Sequence, residues 1–408
     1  MTSKKSTNTT AKTFLNEALE IENDIISVRR YLHAHAETGF ELSETLDFVK
    51  SKLKEIGCEY SDCGKSGITT LIGKGETDSV FMLRADMDAL PLEEKTGLDF
   101  SCKSGNMHAC GHDMHTAMLL GATRILKNHE NEIKGTVKII FQPAEEIFSG
   151  ASNMIENGVL KNPDVKRAMS VHVFSGIPVK TGTVIIPSKG IGAPAADYFT
   201  VNVQGKGCHG STPHLGTDSI TVGARILLGL EEISARETSV ADKTVLTVGL
   251  FRGGSAGNVI ADETVLQGTL RSFSDETRKI IKKRICEIAE NIGNAYHTKT
   301  TVTFENGCPT LENDGDLADE IRKNTLELLG TDFVIDASDF ADNTETGGSE
   351  DFSYISKAVP SVMLGLASGE PEKGFVYRQH HPKVDFDESV LKIGSAVMAY
   401  NAFISSNL

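Results

Sequence analysis

From residue 67 onward the chain alternates short apolar, β-branched runs with amphipathic stretches, and that alternation leaves few folds open. GITTLIG (67–73), SVFMLRAD (79–86), GTVKIIFQ (135–142) and RAMSVHV (167–173) read as buried strands, and GHDMHTAMLLGATRILKNH (111–129) reads as a helix among them. Upstream, LNEALEIENDIISVRRYLHAH (15–35) and SETLDFVKSKLKEIG (43–57) have helical spacing, and a glycine ends the second. Buried strands alternating with helices predict an α/β layer: a mixed, mostly parallel sheet flanked by helices.

Near residue 193 the pattern changes. DYFTVNVQG (197–205) is an alternating strand, TDSITVGARILLGLEEIS (217–234) a helix, and KTVLTVGLF (243–251) and ETVLQGTLRSF (263–273) are strands. DETRKIIKKRICEIAENIG (275–293) is a second helix and TKTTVTFE (298–305) a closing strand. The order βαββαβ is that of a ferredoxin-like unit, in which two helices bury one face of a four-stranded sheet. The α/β pattern then resumes with a helix over 314–330, the strand SVMLGL (361–366) and a last helix from about Glu388. The expectation is a discontinuous domain, 1–192 and 308–408, with a second domain inserted at 193–307. A length of 408 residues fits two domains, and a crevice between two bodies is a usual place for a ligand.

Composition excludes several partners. The net charge of -15 disfavours nucleic acid and anionic membrane surfaces, which would repel the chain. No run approaches the roughly 18 apolar residues of a spanning helix. MTSKKSTNTTAKTF has two lysines but no apolar segment after them, unlike a secretory signal. Seven scattered cysteines suit a reducing compartment better than a disulfide framework, so a cytoplasmic location is expected.

Residues 107–116, MHACGHDMHT, concentrate three histidines, a cysteine and an aspartate in a chain with only 12 histidines. Other ligand-type residues follow apolar strands: Asp86 and Asp88, Glu145 and Glu146, His172, and His380 and His381. The carboxyl ends of parallel strands converge on one sheet edge, where α/β proteins place their chemistry. Singly, each has a plain explanation: a buried thiol for Cys110, a core histidine for His172, a solvated pair for the glutamates. Jointly they suit a cation such as zinc, manganese, nickel or cobalt. A structural zinc clamp would want paired Cys-x-x-Cys loops, which are absent from the sequence. Cys110 precedes a helix, whose N-terminus favours thiolate. Consecutive side chains at a strand end diverge, so one of Glu145 and Glu146 is expected to bind metal while the other acts as a general base.

Together RRYLHAHAETGFEL, RADMDALP, MHACGHDMHTAMLLGA, QPAEE, CHGSTPH, GGSAGNVI, TGGSEDFSY and the late HHP resemble the aminoacylase and carboxypeptidase superfamily of metallo-amidohydrolases. The similar branch holds hippurate hydrolases, indole-acetyl-amino-acid hydrolases and N-acetyldiaminopimelate deacetylases. The resemblance spans about Ile25 to the last helix. It implies a metallopeptidase-like catalytic domain carrying one or two divalent ions (Mn, Zn, Ni or Co) on Cys110, His112, Glu146, His172 and His380. It further implies Glu145 as general base, with Asp88 behind the ligands. His380 is preferred over His381 because the family's motif is written His-x-Pro. Where other branches carry an aspartate this chain has Cys110, and where they carry His-x-Asp it has Asp86-Met-Asp88; relatives often have proline at Ala36.

The implied reaction is hydrolysis of an N-acyl amino acid. Glu145 takes the attacking water's proton and returns it to the leaving amine, and a metal polarises the acyl carbonyl. In the inserted domain, a lid by resemblance, His209 is the implied oxyanion donor, and Asn258 and Arg271 are the implied carboxylate binders. His214 is taken as a surface-loop residue. The family commonly pairs through this domain, which implies a homodimer. Three readings compete: a dipeptidase or exopeptidase of the same superfamily, a metal-binding protein without chemistry, and a thiol enzyme with Cys110 as nucleophile. An intact Glu145 argues against the second, and chelation separates the third.

Overall fold

The computed structural model describes residues 2–339 and 348–408, with side chains from residue 9. The described residues form two compact units, 2–192, 312–339 and 351–408 in one, and 193–311 and 348–350 in the other. Of the TGGSEDFSY stretch, Thr346 and Gly347 lie outside the described residues.

The first unit is built on an eight-stranded sheet. Its order is Tyr60–Cys63, Gly67–Ile72, Thr136–Gln142, Val80–Asp86, Arg167–Phe174, Ser361–Ala367, Val184–Ile186 and Val334–Asp336. The four central strands run parallel to one another. Antiparallel pairings bring in Gly67–Ile72 on one side and Val184–Ile186 on the other, so the sheet is mixed and mostly parallel. Val80–Asp86 and Thr136–Gln142 are buried along their whole length, which is why they read as continuous apolar runs rather than alternating ones.

The helix His112–Asn128 packs on the central strand Val80–Asp86 and against the C-terminal helix Leu391–Ser405. Met114, Met118, Leu119, Leu364, Leu366 and Val397 fill the space between them. Each such buried side chain contributes about 1.5–3 kcal/mol of transfer free energy, so the sheet edge carrying the polar cluster rests on a continuous apolar floor.

Two features depart from the sequence reading. The first helical stretch is two helices, Thr2–Glu20 and Glu22–Ala34, because Ile21 interrupts it. The strands Tyr60–Cys63, Val184–Ile186 and Val334–Asp336 are three or four residues long, too short to show a period.

In the second unit the strand order is Thr244–Gly253, Glu263–Ser272, Ala195–Gln204, Lys299–Cys308, with every neighbour antiparallel. Helices Ser219–Glu232 and Asp275–Ala295 cover one face, burying Val222, Ile226, Ile281 and Ile285 against Phe199, Val201, Leu266 and Leu270. Asp218 caps the first helix through the amides of Ile220 and Thr221, and Ser274 caps the second through Thr277. This is the βαββαβ order. The chain re-enters the first unit at 312, slightly later than the 308 read from the sequence, and Ser349 sides with the second unit through a 2.9 Å hydrogen bond from Arg271.

Candidate metal centre

The parallel strands Val80–Asp86, Thr136–Gln142, Arg167–Phe174 and Ser361–Ala367 end on the same edge of the sheet, and the segments leaving them bring the first unit's candidates together. Asp88, two residues past its strand, is fully buried and accepts the backbone N–H groups of Glu145 and Glu146 on its two carboxylate oxygens, at 2.9 and 3.2 Å. The glutamates therefore sit in a turn, not a pleat; the strand ends at Gln142 and Ala144 has φ 55°. The divergence expected of adjacent strand residues does not apply. Each carboxylate instead brings an oxygen to 3.9 Å from His112 Nε2.

Backbone carbonyls select the tautomers of His112, which is buried, and of His172, which is partly buried. His112 Nδ1–H donates to the Asp88 carbonyl at 2.8 Å, so in the neutral ring the lone pair is on Nε2. That Nε2 is buried with no geometric hydrogen-bond partner among the described residues. His172 Nδ1–H donates to the Val173 carbonyl at 2.8 Å, leaving Nε2 3.5 Å from Cys110 Sγ. His112 opens its helix behind Gly111, whose φ is 96°; a Cβ there would lie 2.5 Å from Val173 Cγ2. Only glycine makes this turn without moving the His172 strand.

The late pair separates. His380 has φ 65° and is held by a backbone bond to the Ala109 carbonyl; its Nε2 lies 3.6 Å from Glu146 Oε2. His381 turns away, stacking on Tyr377 at 4.2 Å while its Nδ1 accepts the Lys383 N–H.

Within the first unit four overlapping sets of donors result, each with its atoms within 4.8 Å: Cys110, His112 and His172; Asp86, His112 and His115; Cys110, Glu146 and His380; and His112, Glu145 and Glu146. Two of them share the thiol. A nitrogen, sulfur and oxygen set with a buried, uncommitted imidazole nitrogen fits one or two borderline divalent cations. The electrostatics point the same way. Burial, with Glu146 and Asp86 adding to it, pushes the Cys110 thiol up to about 12. The helix terminus favours thiolate, but burial, with the carboxylates, outweighs it, so without a cation the proton stays on sulfur. Burial opposes a charge on His112, yet the Asp86 carboxylate outweighs it and raises its pKa. Burial, then His115, holds His172 neutral. The cluster attracts positive charge.

The sequence reading missed the layer beneath. Arg84, fully buried, donates to Gln142, Asp86 and Asp351 at 3.0, 2.6 and 2.9 Å. Asp86 accepts His115 Nδ1–H at 2.6 Å, and His115 Nε2 accepts the Val173 N–H at 2.9 Å. A further buried group, Arg29, His33 and Asp113, backs the start of the His112 helix. An arginine inside the apolar run VFMLRAD was the signal for the first group; Arg29 and His33 of the second lie in RRYLHAHAETGFEL and Asp113 in MHACGHDMHT, but neither stretch announced that they meet.

In the second unit, His209 lies on the short strand Cys208–His209, paired with Val259–Ile260, and Gly210 N–H donates to the Asn258 carbonyl. Its Nδ1 accepts from the Ser211 amide and hydroxyl, so a neutral ring presents Nε2–H as an exposed donor. Arg271 lies on Glu263–Ser272, bonded to Ser349 and 5.8 Å from the Tyr198 ring centroid. Asp262, nine residues before it, accepts the Gly207 N–H at 2.6 Å. His214 sits on the 3-10 turn Pro213–Leu215.

The chain is 36% identical over 377 residues to an N-acetyl-L-cysteine deacetylase of Bacillus subtilis, covering 91% of this chain and 85% of that protein. It is 35% identical over 388 residues to the IAA-amino acid hydrolase ILR1-like 2 of Arabidopsis thaliana, covering 93% and 84%. Among solved structures it is similar to the Bacillus subtilis YXEP protein, described as a dinuclear metal binding peptidase from the M20 family. The TM-score is 0.75 at 30% identity, over 94% of this chain and 98% of that one. The model of peptidase family M20/M25/M40 matches residues 82–402, which contain the donors just described, and the chain belongs to that family.

Proposed function

We propose that the protein is a metal-dependent amidohydrolase that cleaves the amide bond of N-acyl amino acids, releasing a carboxylic acid and a free amino acid. The observation that carries this reading is the overlap of three donor groups, Cys110 with His112 and His172, Cys110 with Glu146 and His380, and His112 with Glu145 and Glu146. The relatives' names, an N-acetyl-cysteine deacetylase and an IAA-amino acid hydrolase, support the substrate class.

One or two divalent ions, manganese, zinc, nickel or cobalt, would be held by Cys110, His112, Glu146, His172 and His380. When bound, they supply a lowered water pKa and a polarised acyl carbonyl. Glu146 is the ligand of the glutamate pair because it reaches both His380 and Cys110. Glu145 is the base: one of its oxygens is held by the Asp351 N–H at 3.3 Å, and it takes the water's proton and delivers it to the leaving nitrogen. Asp88 keeps both glutamates and the His112 ring in register.

In this reading 193–307 is a lid and dimerisation domain. His209 Nε2–H donates to the developing oxyanion, and Arg271 with Asn258 binds the substrate carboxylate. Support for a homodimer is the edge strand Thr244–Gly253, which exposes Val245, Leu250 and Phe251. No helix among the described residues is long and apolar enough to cross a membrane, and a cytoplasmic location remains part of the proposal.

The test is a panel of acetyl, benzoyl and indole-acetyl amino acids against dipeptides and the corresponding methyl esters. The acids should be turned over far better than the esters, and Arg271→Ala should flatten that preference while leaving metal content intact. An unchanged acid-to-ester ratio removes Arg271 from the site, and preference for dipeptides makes the protein a peptidase.

A further inference from the structure

Beneath the donor cluster one guanidinium joins two chains of hydrogen bonds that lead to different working parts. The first runs from Arg84 Nη1 to Asp86 Oδ2, from Asp86 Oδ1 to His115 Nδ1, and from His115 Nε2 to the N–H of Val173. Val173 also provides the carbonyl that fixes the His172 tautomer, and the His115 ring meets His172 edge-on at 4.7 Å between centroids. The second runs from Arg84 Nη2 to Asp351 Oδ1, whose backbone N–H holds Glu145 Oε1. Asp351 is itself fastened by Gln142 Nε2 at 2.7 Å and by the Ala151 N–H at 2.9 Å. Arg84, Asp86 and Asp351 are fully buried.

We infer that Arg84 is a positioning residue that sets Glu145 and His172 in register with each other, through Asp351 for the former and through Asp86 and His115 for the latter. The inference rests on the roles proposed for Glu145 and His172. The two ends stand on different strands and loops, and packing alone leaves each its own small freedom. A rigid fork with donors at Nε, Nη1 and Nη2 removes that freedom, because Gln142, Asp86 and Asp351 are all in hydrogen-bond geometry at once. A lysine keeps the charge but offers one compact ammonium, which cannot span the three acceptors. The guanidinium also offsets two buried carboxylates that would otherwise repel. Charge neutralisation alone, however, does not require this geometry.

The two chains make the idea separable from a role in folding. Outer-layer partners of metal ligands typically change metal affinity or activity by about 10- to 100-fold when removed. Asp351→Asn should lower kcat by at least roughly tenfold with KM within about threefold and with unchanged affinity for Mn2+ or Zn2+ titrated into the metal-free protein. His115→Phe, which keeps a ring beside His172 but breaks the link, should weaken that affinity by at least roughly tenfold. Arg84→Lys should do both. If all three variants lower the melting temperature yet keep wild-type metal affinity and kcat, Arg84 serves stability only and the inference is overturned. It is equally overturned if Asp351→Asn and His115→Phe affect the same parameter to the same extent. Should Arg84→Lys fail to fold, the other two variants decide. A wild-type protein that binds metal but turns over no N-acyl amino acid refutes the functional reading instead. The affinity arm on His115→Phe then still decides the chain to His172.

Discussion

Glu145 and Glu146 are chemically identical neighbours, so only their surroundings can give them separate work. Both amides are held by the Asp88 carboxylate, and both carboxylates approach His112 Nε2 equally. What differs is the far side: Glu145 meets the Asp351 N–H, whereas Glu146 meets His380. Glu145→Gln is therefore expected to retain metal and lose about a hundredfold or more in kcat, the size of effect for a lost general base. Glu146→Gln is expected to lose metal as well, measured by metal analysis of the purified variants; exchanged phenotypes reverse the assignment. The histidine pair is tested in the same way. His380→Ala should weaken metal binding strongly, whereas His381→Ala, whose ring lies on Tyr377, should have a small effect. Equal, mild effects would place the ligand elsewhere.

At the scale of elements, the centre depends on how one strand and one helix meet. Gly111 turns the chain from Cys110 into the His112 helix with φ 96°, against Val173. Gly111→Ala adds backbone strain of order 1–3 kcal/mol and a Cβ that Val173 must evade. The expected result is a lower melting temperature together with weaker metal binding, because Cys110, His112 and His172 all share that junction. A variant that loses stability alone would show that the loop can shift without moving the donors. The residues at this junction were legible in the sequence because ligand chemistry clusters visibly at 107–116 and because buried parallel strands are continuous apolar runs. The βαββαβ order was legible because its strands are ten residues long. Short strands such as Val184–Ile186 were not, since their place depends on pairing with Ser361–Ala367 across a long stretch of chain. The metal-free state of Cys110 was not legible for a related reason: the helix terminus is local and visible, but the burial and carboxylates that outweigh it arrive from distant segments.

For the molecule as a whole, buried charge links the helix Glu22–Ala34 to the start of the His112 helix. His33 sits between Asp113 at 2.8 Å and Glu94 at 3.2 Å, with Arg29 on the same Asp113. Burial disfavours its charge, but its contacts with the Asp113 and Glu94 carboxylates prevail and raise its pKa to about 9. A raised folded-state value stabilises the protein fully below the unfolded value of about 6.5 and loses that contribution as pH rises through about 9. The stake is up to about 3 kcal/mol. The unfolding free-energy gap between wild type and His33→Gln should thus be largest near pH 6 and shrink towards pH 9.5; a gap independent of pH would mean that His33 is neutral in the fold. Arg29 and His33 lie in RRYLHAHAETGFEL and Asp113 in MHACGHDMHT, but nothing in the sequence showed that these stretches and Glu94 meet, because they are far apart along the chain. What most directly decides the reading of this molecule is turnover of an N-acyl amino acid, with metal content measured on the same sample before and after chelation. Hydrolysis should vanish with the metal and return on adding manganese, zinc, nickel or cobalt, saturating at one or two ions per chain. Full turnover by protein shown to be free of metal would contradict it.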